Sequence, residues 1–196
     1  MKKLLVCIMF VLLGTQMSAQ EIDKGYEAYN DGDYATALKE WKPLAEQGYA
    51  FAQYNLGILY EYGNGVPKDY AEAVKWYRLS AEQGYAISQY SLGLMHINGY
   101  GVLKDKAEAV KWWRLSAEQG NAAAQNGLGF MHKNGNGVLQ DNLTAHMWYN
   151  ISSANGHEDA GEWRDKVADS MTPEAIEKAT AMARECMASD YKKCGY

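Results

Sequence analysis

A block of 36 residues recurs three times head to tail, and that repetition constrains the fold more than any other feature of the chain. Ala45–Ser80 reads AEQGYAFAQYNLGILYEYGNGVPKDYAEAVKWYRLS, and Ala81–Ser116 reads AEQGYAISQYSLGLMHINGYGVLKDKAEAVKWWRLS, identical at 24 of 36 positions. Ala117–Ser152 keeps the same skeleton. A period of this length marks an array of supersecondary units, none of which can bury both of its faces alone.

Each unit reads as two helices. Ala50–Tyr62 carries apolar residues at helical spacing and ends at Gly63. A glycine inside a helix costs about 1 kcal/mol against alanine, so its recurrence at Gly57, Gly93 and Gly129 predicts close approach of a neighbouring helix backbone. The Gly-x-Gly-Val stretches beginning at Gly63, Gly99 and Gly135 form the turn, because glycine accepts positive φ. Asp69, Asp105 and Asp141 stand where the second helix needs an N-cap, and Gly84, Gly120 and Gly156 where it needs a stop. Trp76, Tyr77, Trp112, Trp113, Trp148 and Tyr149 form an aromatic stripe that reads as core between layers, not as a cofactor box.

The ends depart from the pattern. Residues 20–48 read as an N-terminal helix pair with a tight Asp31-Gly32-Asp33 turn and no Gly-x-Gly insertion. Residues 49–156 hold the three full repeats. Residues 157–196 start a degenerate fourth copy, after which Thr172-Pro173 opens a final capping helix. Residues 1–19 read as a signal peptide: Lys2 and Lys3, ten apolar residues from Leu4 to Leu13, and small residues before a cut after Ala19. Ten residues are too few to span a bilayer, so no transmembrane anchor is expected. The reading puts the mature chain in the bacterial periplasm or outside the cell. There Cys186 and Cys194 are expected to pair as a disulfide clamping the last helix.

The chain carries 24 acidic and 19 basic residues, a net charge of −5. An acidic body excludes nucleic acid as the expected partner, since phosphate binding needs surplus Lys and Arg.

The AEQG, QYNLG, GxGVxKD and AEAVKWYR blocks resemble the Sel-one-like repeat family, relatives of the tetratricopeptide repeats with a longer turn. The resemblance covers residues 21–156, and GDYATALKEW in the first unit is closer to the plain tetratricopeptide pattern. It implies an all-α fold, an α/α solenoid whose stacked antiparallel helix pairs form a right-handed superhelix. It also implies a role in binding proteins or peptides. Some secreted members have been associated with β-lactam binding or hydrolysis, which makes a hydrolase acting on the cell wall or on β-lactams the alternative.

Residues with the chemistry of catalysis are sparse. His96 and His132 occupy the same slot in adjacent units, where a shared metal would need both rings within about 2.1 Å of one ion; they read as packing residues. His157-Glu158 begins like a zinc-protease helix but lacks the second histidine. Ser189 to Lys192 matches Ser-x-x-Lys without its companion motifs. The acceptor patterns at Asn142 and Asn150 fall inside a helix. No cofactor or metal is implied.

The expected function is therefore an exported interaction scaffold that grips a protein or peptide. In related repeats the first helix of each pair lines the concave face. By matching the Leu-Gly positions, the groove would comprise Phe51, Tyr54, Ile58, Glu61 and Tyr62 in the first repeat. The second would contribute Ile87, Tyr90, Leu94, Ile97 and Asn98, and the third Asn126, Phe130 and Lys133. Apolar anchors with a few polar groups suit peptide recognition.

Overall fold

The computed structural model describes residues 24–194. The signal-peptide segment, with its cut after Ala19, lies outside the described residues. All regular structure among the described residues is helical. A helix over 24–30, α1, is followed by α2 (Tyr34–Glu46), α3 (Ala50–Tyr62), α4 (Tyr70–Glu82), α5 (Ala86–Asn98) and α6 (Lys106–Ala117). Then come α7 (Ala122–Asn134), α8 (Asn142–Ala154), α9 (Ala160–Ala168) and α10 (Pro173–Ala188). The helices come in the repeated pairs that the period demands. The chain divides into two compact units, one ending at Ser80 and the other beginning at Ala81.

The turn chemistry explains where each helix stops. Helices α3, α5 and α7 end on Gly63, Gly99 and Gly135 in the left-handed region, at φ of 76°, 74° and 65°. The chain then returns, and the N–H of Asp69, Asp105 and Asp141 donates to the carbonyls of Tyr60, His96 and His132. Each aspartate also caps the next helix. Asp69 accepts from the N–H of Ala71 and Glu72, Asp105 from that of Glu108, and Asp141 from that of Leu143. The second glycine of the turn has a separate reason. A Cβ on Gly65 would lie 2.9 Å from the Tyr34 carbonyl oxygen in the first unit, and one on Gly137 would lie 2.5 Å from the Lys106 carbonyl carbon in the second.

The mid-helix glycines seat aromatic rings, which corrects the expectation of backbone approach. The space a Cβ would need is filled by the ring of Tyr77 at Gly57, of Trp113 at Gly93 and of Tyr149 at Gly129. Gly25 does the same for Trp41 in the N-terminal pair. Each glycine lies on the first helix of a hairpin and each ring on the second. These four rings are nearly or fully buried, and burying a side chain of this size stabilises by about 1.5–3 kcal/mol. In the N-terminal pair the glycine and ring are four residues closer in sequence, because the turn over 31–33 is four residues shorter than the turn over 63–69.

Serine side chains join the two helices of each repeat hairpin, and glutamines reach back to a carbonyl eight residues earlier. The Ser80, Ser116 and Ser152 hydroxyls donate to the carbonyls of Ala50, Ala86 and Ala122, all at 2.7 Å. Buried Gln53, Gln89 and Gln125 donate from Nε2 to the carbonyls of Ala45, Ala81 and Ala117. Each of these helix-end carbonyls also accepts from a backbone N–H, of Gly48, Gly84 and Gly120, so the amide supplies a second donor.

In the second unit α8 packs against both α9 and α10. Thr172 caps α10 with Pro173 in its first turn. Ala183, Cys186 and Cys194 join the buried cluster that holds Trp113, Leu128, Met131, Trp148 and Ile151. Cys186 and Cys194 are joined by a disulfide with their Cα atoms 4.5 Å apart. It closes a tail in which Asp190 and Tyr191 adopt positive φ, 55° and 60°.

Candidate interaction surface

In the first unit, the face expected to bind is partly spent on packing. The Phe51 ring meets Trp41 edge-on with centroids 6.4 Å apart, and Tyr54 tilts over Tyr77 at 5.7 Å. Both are half-buried, as is Ile58. Glu61 accepts a 2.5 Å hydrogen bond from the Tyr77 hydroxyl. Burial, followed by the contact with Glu61, pushes the Tyr77 phenol far above its ordinary value, so it remains a donor. Tyr62 stands most open, 63% exposed. Its phenol is raised chiefly by the neighbouring Glu61 carboxylate and further by burial.

In the second unit the half-buried ring of Tyr90 stacks on Trp113 at 6.0 Å, and the Trp113 indole N–H donates to the Tyr90 carbonyl. Leu94 and Ile97 are half-buried against the core cluster. Asn98 is exposed, its Nδ2 donating to the Leu94 carbonyl one turn back. Ile87 and Phe130 project outward, 43% and 51% exposed. Residues Asn126, Phe130 and Lys133 share one side of α7 by their i, i+4, i+7 spacing. The Asn126 Oδ1 is buried with no hydrogen-bond partner among the described residues.

Sequence reasoning missed one member of this surface. Trp163 on α9 is 38% exposed and meets Lys133 Nζ 5.3 Å from its ring centroid. Lys166 Nζ lies 4.3 Å from the same centroid. A cation held over an indole face is attracted by the ring quadrupole. Trp163 falls in the degenerate fourth copy, where no repeat partner marks its role.

The residues weighed for catalysis have structural employment. The Ser189 hydroxyl donates to the Cys186 carbonyl and accepts from the Lys193 N–H, bonding it into the α10 cap. His96 is buried on α5, and half-buried His132 has its imidazole lowered by burial. No group of three or more His, Cys, Asp or Glu arranged to hold a metal occurs among the described residues. No described helix is long and apolar enough to cross a membrane.

Comparison with known proteins gives this arrangement a lineage. The Sel1 repeat model matches three consecutive segments, residues 50–85, 86–121 and 122–157. The crystal structure of a protective antigen present in uropathogenic Escherichia coli strains, which displays an SLR fold, superposes with a TM-score of 0.75 at 34% identity. That match covers 90% of this chain and 38% of the antigen. A Sel1 repeat protein from Oxalobacter formigenes gives a TM-score of 0.62 at 34% identity, covering 66% of this chain and 98% of that one. The rat and mouse proteins named DAP3-binding cell death enhancer 1 are 41% identical over 44 residues, 22% of this chain. The chain spans only 9% of the length of those two curated relatives. Three tandem repeats, each a glycine-seated hairpin closed by an aspartate cap, place the chain in the Sel1 repeat family, whose repeats are protein-interaction modules.

Proposed function

We propose that this chain is an exported, non-catalytic scaffold that binds a protein or peptide through the exposed sides of its first-of-pair helices. The observation that carries the reading is the position of Ile87 and Phe130. Each is a large apolar side chain more than two-fifths exposed. Each lies on a helix whose other side is anchored by fully buried residues, Leu92 and Met95 in α5 and Leu128 and Met131 in α7. Apolar anchors on rigid helices are what a partner segment needs, since little conformational freedom is lost on docking.

Export rests on the charged, apolar, small-residue order of residues 1–19 and on the Cys186–Cys194 disulfide, which persists in an oxidising compartment. The hydrolase alternative draws no support from Ser189, whose hydroxyl is taken up in a helix cap.

Site-specific photo-crosslinking tests the interaction reading. A photoreactive residue at position 87 or 130 is expected to trap a partner in the cell envelope. The same residue at Leu103 or Leu139, which are 89% and 90% exposed but lie in turns, is expected not to. Equal trapping at all four positions would defeat the assignment. Cell fractionation with N-terminal sequencing tests export: a mature chain beginning at Gln20 in the periplasm or medium is expected, and an uncleaved cytoplasmic chain would overturn it.

A further inference from the structure

The second unit distributes its charge unevenly. Helix α5 contains no Asp, Glu, Lys or Arg, and α7 contains a single one of these, Lys133. In a chain with 24 acidic residues, the two helices that present Ile87 and Phe130 are free of carboxylates. The hairpin partner of α5, α6, by contrast, carries Lys106, Glu108, Lys111 and Arg114, while α8, the partner of α7, carries none of these residue types. Lys133 is half-buried, rests over the Trp163 ring, and makes no ion pair among the described residues. Both carboxylates on α9 are already engaged, Glu162 with Lys166 and Asp165 with Arg164.

We infer that the partner segment taken by this face is acidic, an apolar peptide bearing an Asp or Glu that pairs with Lys133 while its apolar residues cover Ile87, Phe130 and Trp163. The inference rests on the interaction reading above and narrows it. Covering this face with any segment strips water from the Lys133 ammonium. A neutral or basic segment would leave that charge buried without compensation, whereas a carboxylate offsets the loss. The apolar rings around it also displace screening water, which strengthens the pair relative to an exposed one. No carboxylate on α5 or α7 competes for Lys133 or repels the incoming acid.

The test is selection of random twelve-residue peptides displayed on phage against the full mature chain. Selected peptides are then synthesised and titrated by fluorescence anisotropy against the wild type, Lys133→Glu, Lys133→Met and the Ile87→Asp/Phe130→Asp double variant. Circular dichroism confirms that each variant remains helical. The expected result is enrichment of Asp or Glu beside Leu, Ile, Phe or Trp, with affinity falling at least tenfold in Lys133→Glu and less in Lys133→Met. Peptides that are neutral or basic, yet lose binding in the double variant, would overturn the acidic partner while leaving the interaction surface standing. Peptides indifferent to the double variant, or no selected peptides at all, would overturn both.

Discussion

The Tyr77 hydroxyl donates a 2.5 Å hydrogen bond to a carboxylate oxygen of Glu61, sixteen residues earlier on the facing helix. Tyr77 is 1% exposed, so this is the hydroxyl's means of avoiding an uncompensated burial. Removing the acceptor with Glu61→Leu should destabilise the first unit by about 1–3 kcal/mol, the cost of orphaning a buried donor. Tyr77→Phe in the same chain should recover part of that loss, because it removes the stranded hydroxyl. Urea unfolding of the two single variants and the double provides the cycle. Additive effects would show that the two residues are not coupled.

Gly93 lies under the Trp113 ring, where a methyl has no room. Gly93→Ala should therefore destabilise the second unit by about 1–3 kcal/mol through overpacking, against an alanine preference of about 1 kcal/mol in exposed helices. Gly161→Ala is the comparison: its nearest neighbour is the Ser153 hydroxyl at 3.3 Å, a side chain that can move. Its effect on the melting temperature should be much smaller. A stabilised Gly93→Ala protein would contradict the packing described here.

Reduction of the Cys186–Cys194 bond should lower the stability of the second unit by about 2.5 kcal/mol, the loop-closure value for a ring this small. The tail it closes holds Tyr191, whose hydroxyl exchanges hydrogen bonds with Asn155, and whose ring lies 3.4 Å from where a Gly120 Cβ would stand. Cys194→Ser should reproduce the loss and raise hydrogen exchange in residues 186–194. Unchanged exchange there would show that the tail holds without its clamp.

Burial lowers the imidazole of His132, with Asp141 opposing and Arg114 adding to the shift. Burial, with Arg164 adding, lowers that of His146 as well. The unfolded imidazole, near 6.5, therefore takes up a proton more readily than the folded one. Stability should be complete above that value and decline as the pH falls through it, levelling off below the folded value. Melting at pH 5 should fall below that at pH 7.5, and a His132→Gln/His146→Gln variant should show a flatter profile. The cap aspartates titrate in a separate window. The backbone N–H of Glu108 holds Asp105 below the usual carboxylate range, so its contribution is lost only as the pH drops through that lower value. A profile flat from pH 7.5 to 5 would mean the histidines carry no such linkage.

The fold was legible because repetition amplifies weak local signals. One glycine or one aspartate is ambiguous; Gly63, Gly99 and Gly135 at helix ends, each followed by an aspartate cap, are not. The candidate face was only partly legible. Matching positions across repeats selected Ile87 and Phe130, whose side chains are exposed in the second unit, and Lys133, which is half-buried against Trp163. The same matching could not distinguish them from Tyr54 and Tyr90, which occupy one repeat slot and spend their rings on Tyr77 and Trp113. Nor could it reveal that Glu61 answers to Tyr77.

Sequence alone determined the helical period, the turns and the caps, because these depend on residues within a few positions of one another and on backbone freedoms that glycine and aspartate alone supply cheaply. Tertiary structure decided what the mid-helix glycines are for and which apolar side chains remain outside. It also brought Trp163 to Lys133 across thirty residues of chain. Those outcomes depend on the volume and position of side chains on a neighbouring helix, and a one-dimensional pattern does not contain that information.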